Sequence, residues 1–187
     1  LESVYQLQIL NEMMKEQFDA YDINTVMVLG IAGGNGLEHT DKERIKKIYG
    51  VDVNRNYLVE CRKRYNKLGD VLDTICIDLL SDNLQLPCAE LLVANLLIEY
   101  IGYECFGRIV ELVKPKYISC IIQINSGASF VSDSPYIHAF DCLDEVHHQM
   151  EAPKLINCIQ KIDYIVQSTT EKLLPNGKKF VRVDFTQ

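Results

Sequence analysis

Two short stretches, VMVL at residues 26–29 and LLVA at 91–94, are apolar at every position. A strand with one wet face alternates apolar and polar residues, so unbroken runs of this length belong to a sheet covered on both sides. The segments between the strands carry helical spacing. Val4, Leu7, Leu10, Met14 and Phe18 recur at three and four, which predicts an amphipathic helix, with its stripe in the core, ahead of a strand at Thr25–Gly30. The β-branched run RIKKIYGVDV predicts a second strand from about Arg44 to Val53. A short helical turn after Gly36 precedes it, with Thr40 and Glu43 at capping-box spacing. Asn56 to Lys67 follows as a helix that Gly69 stops. VLDTICID, ELLVAN and YISCIIQIN supply strands three to five, and a helix bearing Phe106, Ile109, Val110 and Val113 ends before Pro115. Helical segments near 142–150 and 154–161 lead to DYIVQSTTEKLL and KKFVRVDFT, which flank the turn PNGK as a β-hairpin. Strands alternating with helices predict a parallel α/β sheet with right-handed crossovers. No linker or repeat divides it, so residues 1–187 are expected to form one domain.

Composition narrows the class. No stretch approaches the ~20 apolar residues of a membrane span and no signal peptide is evident, so a soluble, cytoplasmic protein without membrane contact is expected. Seven cysteines fall singly, with no C-x-x-C pair, as reduced thiols would. Neighbouring His147 and His148 point in different directions on a helix, and His39 reads as a solvated loop residue, so no metal site is expected. A net charge of −7 argues against nucleic acid as a partner.

The first strand runs into GIAGGNG, and glycine lets another molecule approach the backbone. In an open α/β sheet ligands bind beyond the carboxyl ends of the strands. Asp52 lies there after the second strand, sixteen positions beyond Gly36, where a carboxylate can accept from both hydroxyls of a ribose. A glycine loop joined to such an acid suits any nucleoside cofactor. On this reading a side chain at Gly34 blocks the ligand and leaves the fold intact.

GIAGGNG, GVDVN, CIDLL, LLVANLLIEYIG and the closing hairpin together resemble the class I S-adenosylmethionine-dependent methyltransferases over residues 20–187. The resemblance implies a Rossmann-like three-layer α/β/α sandwich, mostly parallel and seven-stranded, whose hairpin (163–186) inserts an antiparallel seventh strand between the fifth and sixth. It implies a helix at 1–20 covering the cofactor side and an acceptor-pocket segment at 125–160 that contains His138, His147 and His148. By the same resemblance Gly30, Ala32, Gly34 and Gly36 form the cofactor loop. Asp52 and Val53 meet the ribose side, Asp78 the adenine amino group, Leu79 the ring, and Asn95 the sulfonium side. Two positions depart from the family pattern. Ala32 replaces the first glycine of G-x-G-x-G, and Gly30 stands where the family carries an acid that helps hold the methionyl amine.

The implied reaction is methyl transfer from S-adenosylmethionine, leaving S-adenosylhomocysteine. The donor is already activated, so alignment and exclusion of water are the protein's main contributions. Glu99 and Tyr100, just after the fourth strand, are the candidate catalytic residues. N-P-P-Y, D-P-P-Y and a pyrimidine-methylating cysteine motif are absent, which leaves a small-molecule acceptor as the expectation. A short-chain dehydrogenase shares the glycine loop but needs Y-x-x-x-K, and none of the ten tyrosines has a lysine four positions on. Glu38 also puts an acid where a dinucleotide's phosphates would sit. The remaining alternative is a non-catalytic module that keeps the cofactor fold for scaffolding or sensing.

Overall fold

The structure, a computed structural model, describes residues 2–125 and 150–187. Strand β1 (Thr25–Leu29) shows why the apolar runs do not alternate. Val26 and Val28 pack into a layer with Met14, Phe18 and Leu58, while Met27 and Leu29 face Phe106, Ile109 and Val110 on the other side. Strand β4 (Leu91–Asn95) divides in the same way, with Leu91 and Val93 on the first face and Leu92 and Ala94 on the second. Burial on both faces is what unbroken hydrophobicity demands.

Strands β2 (Lys47–Asp52), β3 (Leu72–Cys76), β5 (Tyr117–Asn125), β6 (Ile165–Leu173) and β7 (Lys178–Thr186) complete one seven-stranded sheet, ordered β3-β2-β1-β4-β5-β7-β6. The first five run parallel, and β7 enters antiparallel between β5 and β6. This is the expected mostly parallel sheet with its antiparallel hairpin. Gly177, at φ +76°, makes the turn between β6 and β7, and Leu174 N–H closes it on Lys178 O at 2.8 Å. The helices are α1 (Glu2–Asp19), α2 (Arg55–Arg64), α3 (Ile98–Ile101), α4 (Tyr103–Val113) and α5 (Ala152–Gln160). No described helix is long and apolar enough to cross a membrane.

Several boundaries differ from expectation for local reasons. Arg44 does not open β2, because its guanidinium donates to Phe18 O and Tyr21 O and so caps the end of α1. Thr40 caps no helix. Its hydroxyl bonds back to Leu37 O within a 3-10 turn at Leu37–His39, and Asp41 accepts from Glu43 N instead. Helix α2 starts on the Asn54 side chain, which accepts from Asn56 N and Tyr57 N. It stops at Arg64, and a 3-10 segment containing Gly69 at φ +53° carries the chain on to β3. The stripe of α1 is buried only in its later part. Met14 and Phe18 enter the core, but Val4 is 54% and Leu7 53% exposed. The expected helix near 142–150, Cys142, and His138, His147 and His148 lie outside the described residues, apart from Met150, which is buried.

A buried polar cluster ties α1 to the far half of the sheet. Asp184 on β7 takes a two-point contact from Arg182, Nε to Oδ1 at 2.9 Å and Nη2 to Oδ2 at 2.6 Å. Ser119 Oγ and Tyr21 OH donate to the same carboxylate. Gln17 Nε2 donates to Ser119 Oγ and to Asn95 Oδ1, and Asn95 Nδ2 returns a bond to Gln17 Oε1 at 2.8 Å. Among the described residues no buried side-chain polar atom lacks a partner. Removing Asp184 would take the shared acceptor from two hydroxyls and leave a nearly buried guanidinium with only the looser Glu16 pair at 3.6 Å. Asp184→Ala is therefore expected to cost about 3–5 kcal/mol in chemical denaturation.

Candidate functional site

The parallel strands bring the ends of β1, β2, β3 and β4 to one edge of the sheet, where Asp52 is the central group. Asp52 Oδ2 accepts from Ala32 N at 2.8 Å, and Oδ1 accepts from Asn54 N at 2.8 Å. Ile31 N–H adds a bond to Val51 O at 3.0 Å. The glycine loop is thus fastened to the end of β2. Ala32 reaches Asp52 with φ +46°, a left-handed conformation that costs an L residue roughly 1–2 kcal/mol.

A cavity of about 270 Å³ opens at this edge. Gly30, Asp52, Val53, Asp78, Leu79 and Tyr100 line it, all of them residues singled out in the sequence. Asp78 Oδ1 also accepts from Leu80 N at 2.9 Å, which fixes the turn after β3. Leu97 and Ile77, which the sequence reading passed over, join the lining. Their signal was position alone, Ile77 one residue past β3 and Leu97 two past β4. Glu99 is buried to 6% exposure and does not line the cavity, whereas Tyr100 is half exposed and does.

The remaining cofactor-loop residues stand elsewhere. Ala32 and Gly33 face a larger groove of about 600 Å³ between the loop and α1, which contains none of the acids at the strand ends. Gly34 and Gly36 line neither space. A Cβ on Gly34 would stand 2.7 Å from both Cys61 Sγ and the Tyr65 ring, and one on Gly36 would stand 2.5 Å from Met14 Cγ. At φ +81° and +96° these two glycines serve a turn packed against the protein's own helices. The expectation that a side chain at Gly34 blocks only a ligand is thereby corrected. Asn95 is likewise outside the cavity, its amide paired with Gln17.

Glu38 organises the loop from the opposite side. It accepts from Asn11 Nδ2 at 2.6 Å, from Gly36 N at 3.0 Å and from Tyr65 OH at 2.9 Å, joining α1, the loop and the end of α2. Burial alone would raise its pKa, but backbone N–H groups and the Asn11 and Tyr65 donors outweigh that and hold it at about 2. His39, expected to be merely solvated, is half-buried and shares a 2.6 Å bond with Asn11 Oδ1. Burial pushes the Cys61 thiol up to about 11, as befits a packing group. Among the described residues no three His, Cys, Asp or Glu side chains are grouped to hold a metal ion.

No family model and no curated protein matches the chain. Solved structures do. An N-methyltransferase, NodS from Bradyrhizobium japonicum WM9 with bound S-adenosylhomocysteine, superimposes with TM-score 0.73 at 11% identity, covering 96% of this chain and 86% of that one. A geranyl diphosphate methyltransferase in complex with S-adenosylmethionine gives 0.69 at 10% identity, covering 95% and 84%. The chain has the class I methyltransferase fold. The [4+2]-cyclase SpnF gives 0.70 at 10% identity, covering 96% and 80%, so neighbours of this class I fold include a protein named for another reaction.

Two tests follow from the loop. Gly34→Val is expected to destabilise the fold by about 2–4 kcal/mol in denaturant melts, from the left-handed strain and the clash with Cys61 and Tyr65. Glu38 has its folded pKa depressed from the usual 4.5, so its stabilisation is complete above that value and lost as pH falls toward 2. Across that window the wild type should lose more stability than Glu38→Gln, measured by thermal melts at several pH values.

Proposed function

We propose that the chain is an S-adenosylmethionine-dependent methyltransferase acting on a small-molecule acceptor. The observation that carries this reading is Asp52 at the cavity edge, between the loop of β1 and the turn after β3. Each of its oxygens takes one backbone N–H, and a carboxylate oxygen accepts a second bond readily. Two such oxygens suit the vicinal hydroxyls of a ribose. Leu79 and Ile77 offer apolar surface to a base, and Asp78 offers an acceptor to its amino group. The residues present therefore fit an adenosyl group.

When bound, S-adenosylmethionine supplies a methyl group already activated for in-line displacement. Asp52 holds the ribose and the Ala32 backbone as one unit, so loop and ligand are oriented together. Leu97 and Ile101 keep water from the reacting end, and Tyr100 lies where its hydroxyl can orient an acceptor or hold a proton. The net charge of −7 favours a small acceptor over nucleic acid. Among the described residues six cysteines are free thiols, which suits a reducing, cytoplasmic setting.

A second reading, a module that holds the cofactor without transferring its methyl, is favoured by Asn95. Its amide is committed to Gln17, and Leu97, two residues on, lines the cavity. Methyl-labelled S-adenosylmethionine, incubated with cell extract fractionated by size, separates the two. Label in the metabolite fraction supports the transferase, and binding with no label anywhere supports the module.

Calorimetry should find S-adenosylmethionine or S-adenosylhomocysteine bound, and NAD bound weakly or not at all. Asp52→Ala should weaken binding by about 1.5–3 kcal/mol or more, since the Ala32 contact goes with it. Unchanged binding would remove Asp52 from the ribose. Tyr100→Phe should lower turnover while cofactor affinity stays within about threefold, the pattern of a group acting in the transition state.

A further inference from the structure

The cavity is chemically lopsided. Its two acids, Asp52 and Asp78, stand at the ends of β2 and β3, and both already accept from backbone N–H groups. Toward β1 and β4 the walls are Gly30, Leu97 and Ile101, with the Tyr100 ring beside them. Among the described residues lining the cavity there is no Lys, Arg or His. Gly30 has φ +66°, and a Cβ placed on it would come within 2.9 Å of Leu97 Cδ1. Leu97 therefore lies over the end of β1 and would have to shift its terminal methyl to admit a side chain at Gly30.

From this geometry we infer that the site recognises the nucleoside, and that an amino-acid zwitterion on its 5′ substituent adds little to affinity. The inference rests on the adenosyl reading of the cavity and says which part of the ligand is recognised. A carboxylate or ammonium brought against Leu97 and Ile101 would lose water and gain no charged partner from the lining, which disfavours burying it. A thioether flanked by methylene or methyl groups gains from the same walls. Binding energy comes from the diol at Asp52 and the base beside Asp78 and Leu79, and the charged end of a longer ligand stays in solvent.

Calorimetry on the whole chain with two probes tests this. 5′-Methylthioadenosine keeps the nucleoside and a short thioether, and S-adenosylhomocysteine adds the zwitterion. Both are expected to bind, with dissociation constants less than about tenfold apart, tenfold being the smallest effect expected of a hydrogen bond to a charged group. S-adenosylhomocysteine binding tighter by tenfold or more would overturn the inference and leave the adenosyl reading standing. Binding of neither probe would overturn both. As a second measurement, Leu97→Asp places an acid beside Gly30, and preference for S-adenosylhomocysteine over 5′-methylthioadenosine should then rise at least about tenfold. An unchanged ratio in a folded variant would overturn the placement of the 5′ end at Leu97.

Discussion

Asp52 joins the ends of two neighbouring strands, β1 and β2. One oxygen accepts from Ala32 N in the loop after β1, and the other accepts from Asn54 N at the start of α2. Parallel strands leave their carboxyl-end backbone groups to be satisfied by loops. Here a single carboxylate satisfies two of them and draws the loop over the edge of the sheet. The cavity wall, the left-handed turn at Ala32 and the start of α2 all depend on that carboxylate. The sequence resemblance gives Asp52 a role toward a ribose. The structure adds one toward its own backbone, and the two are compatible because each oxygen has more than one lone pair.

Backbone strain is found on both sides of this edge. Ala32 after β1 and Leu96 after β4 are non-glycine residues in the left-handed region, at φ +46° and +54°. Each is fixed by its own N–H, Ala32 to Asp52 and Leu96 to Ile121 O on the neighbouring strand at 2.8 Å. The cost of roughly 1–2 kcal/mol per residue persists because the hydrogen bonds leave the backbone no cheaper path. At Leu96 the result is a sharp exit from β4 that delivers Leu97 across to Gly30 and Tyr100 to the cavity.

How much of this was legible depended on the range over which each interaction acts. Unbroken apolar runs disclosed a doubly covered sheet because burial of both faces is written into every residue of VMVL and LLVA. Asp52 ends β2, Asp78 stands two residues past β3 and Tyr100 five past β4, and so near a strand end chain position goes far to fix which edge of the sheet a residue meets. What packs against Gly34 and Gly36 was not legible, for a physical reason. A glycine signals that something comes close, but not what, and here it is Cys61, Tyr65 and Met14. Arg44 was read as strand because its apolar and β-branched neighbours favour extension, whereas capping α1 requires contact with residues more than twenty positions earlier. Gln17 is the same case: a polar residue between Met14 and Phe18 gives no sign, along the chain, of Ser119 or Asn95.

The Gln17–Asn95 pair also explains how the first helix bears on the far half of the sheet. Each amide both donates to and accepts from the other, a closed exchange that fixes the orientation of both side chains. Gln17 continues to Ser119 and through it to Asp184, so α1 is held by a chain of bonds running under β4 and β5 to β7. Asn95 is the last residue of β4, and Leu96 and Leu97 depart from it. A shift of α1 would move Asn95, and Asn95 sets where the strained exit begins. The helix that covers the sheet therefore also helps to place Leu97, the residue that makes one end of the cavity apolar.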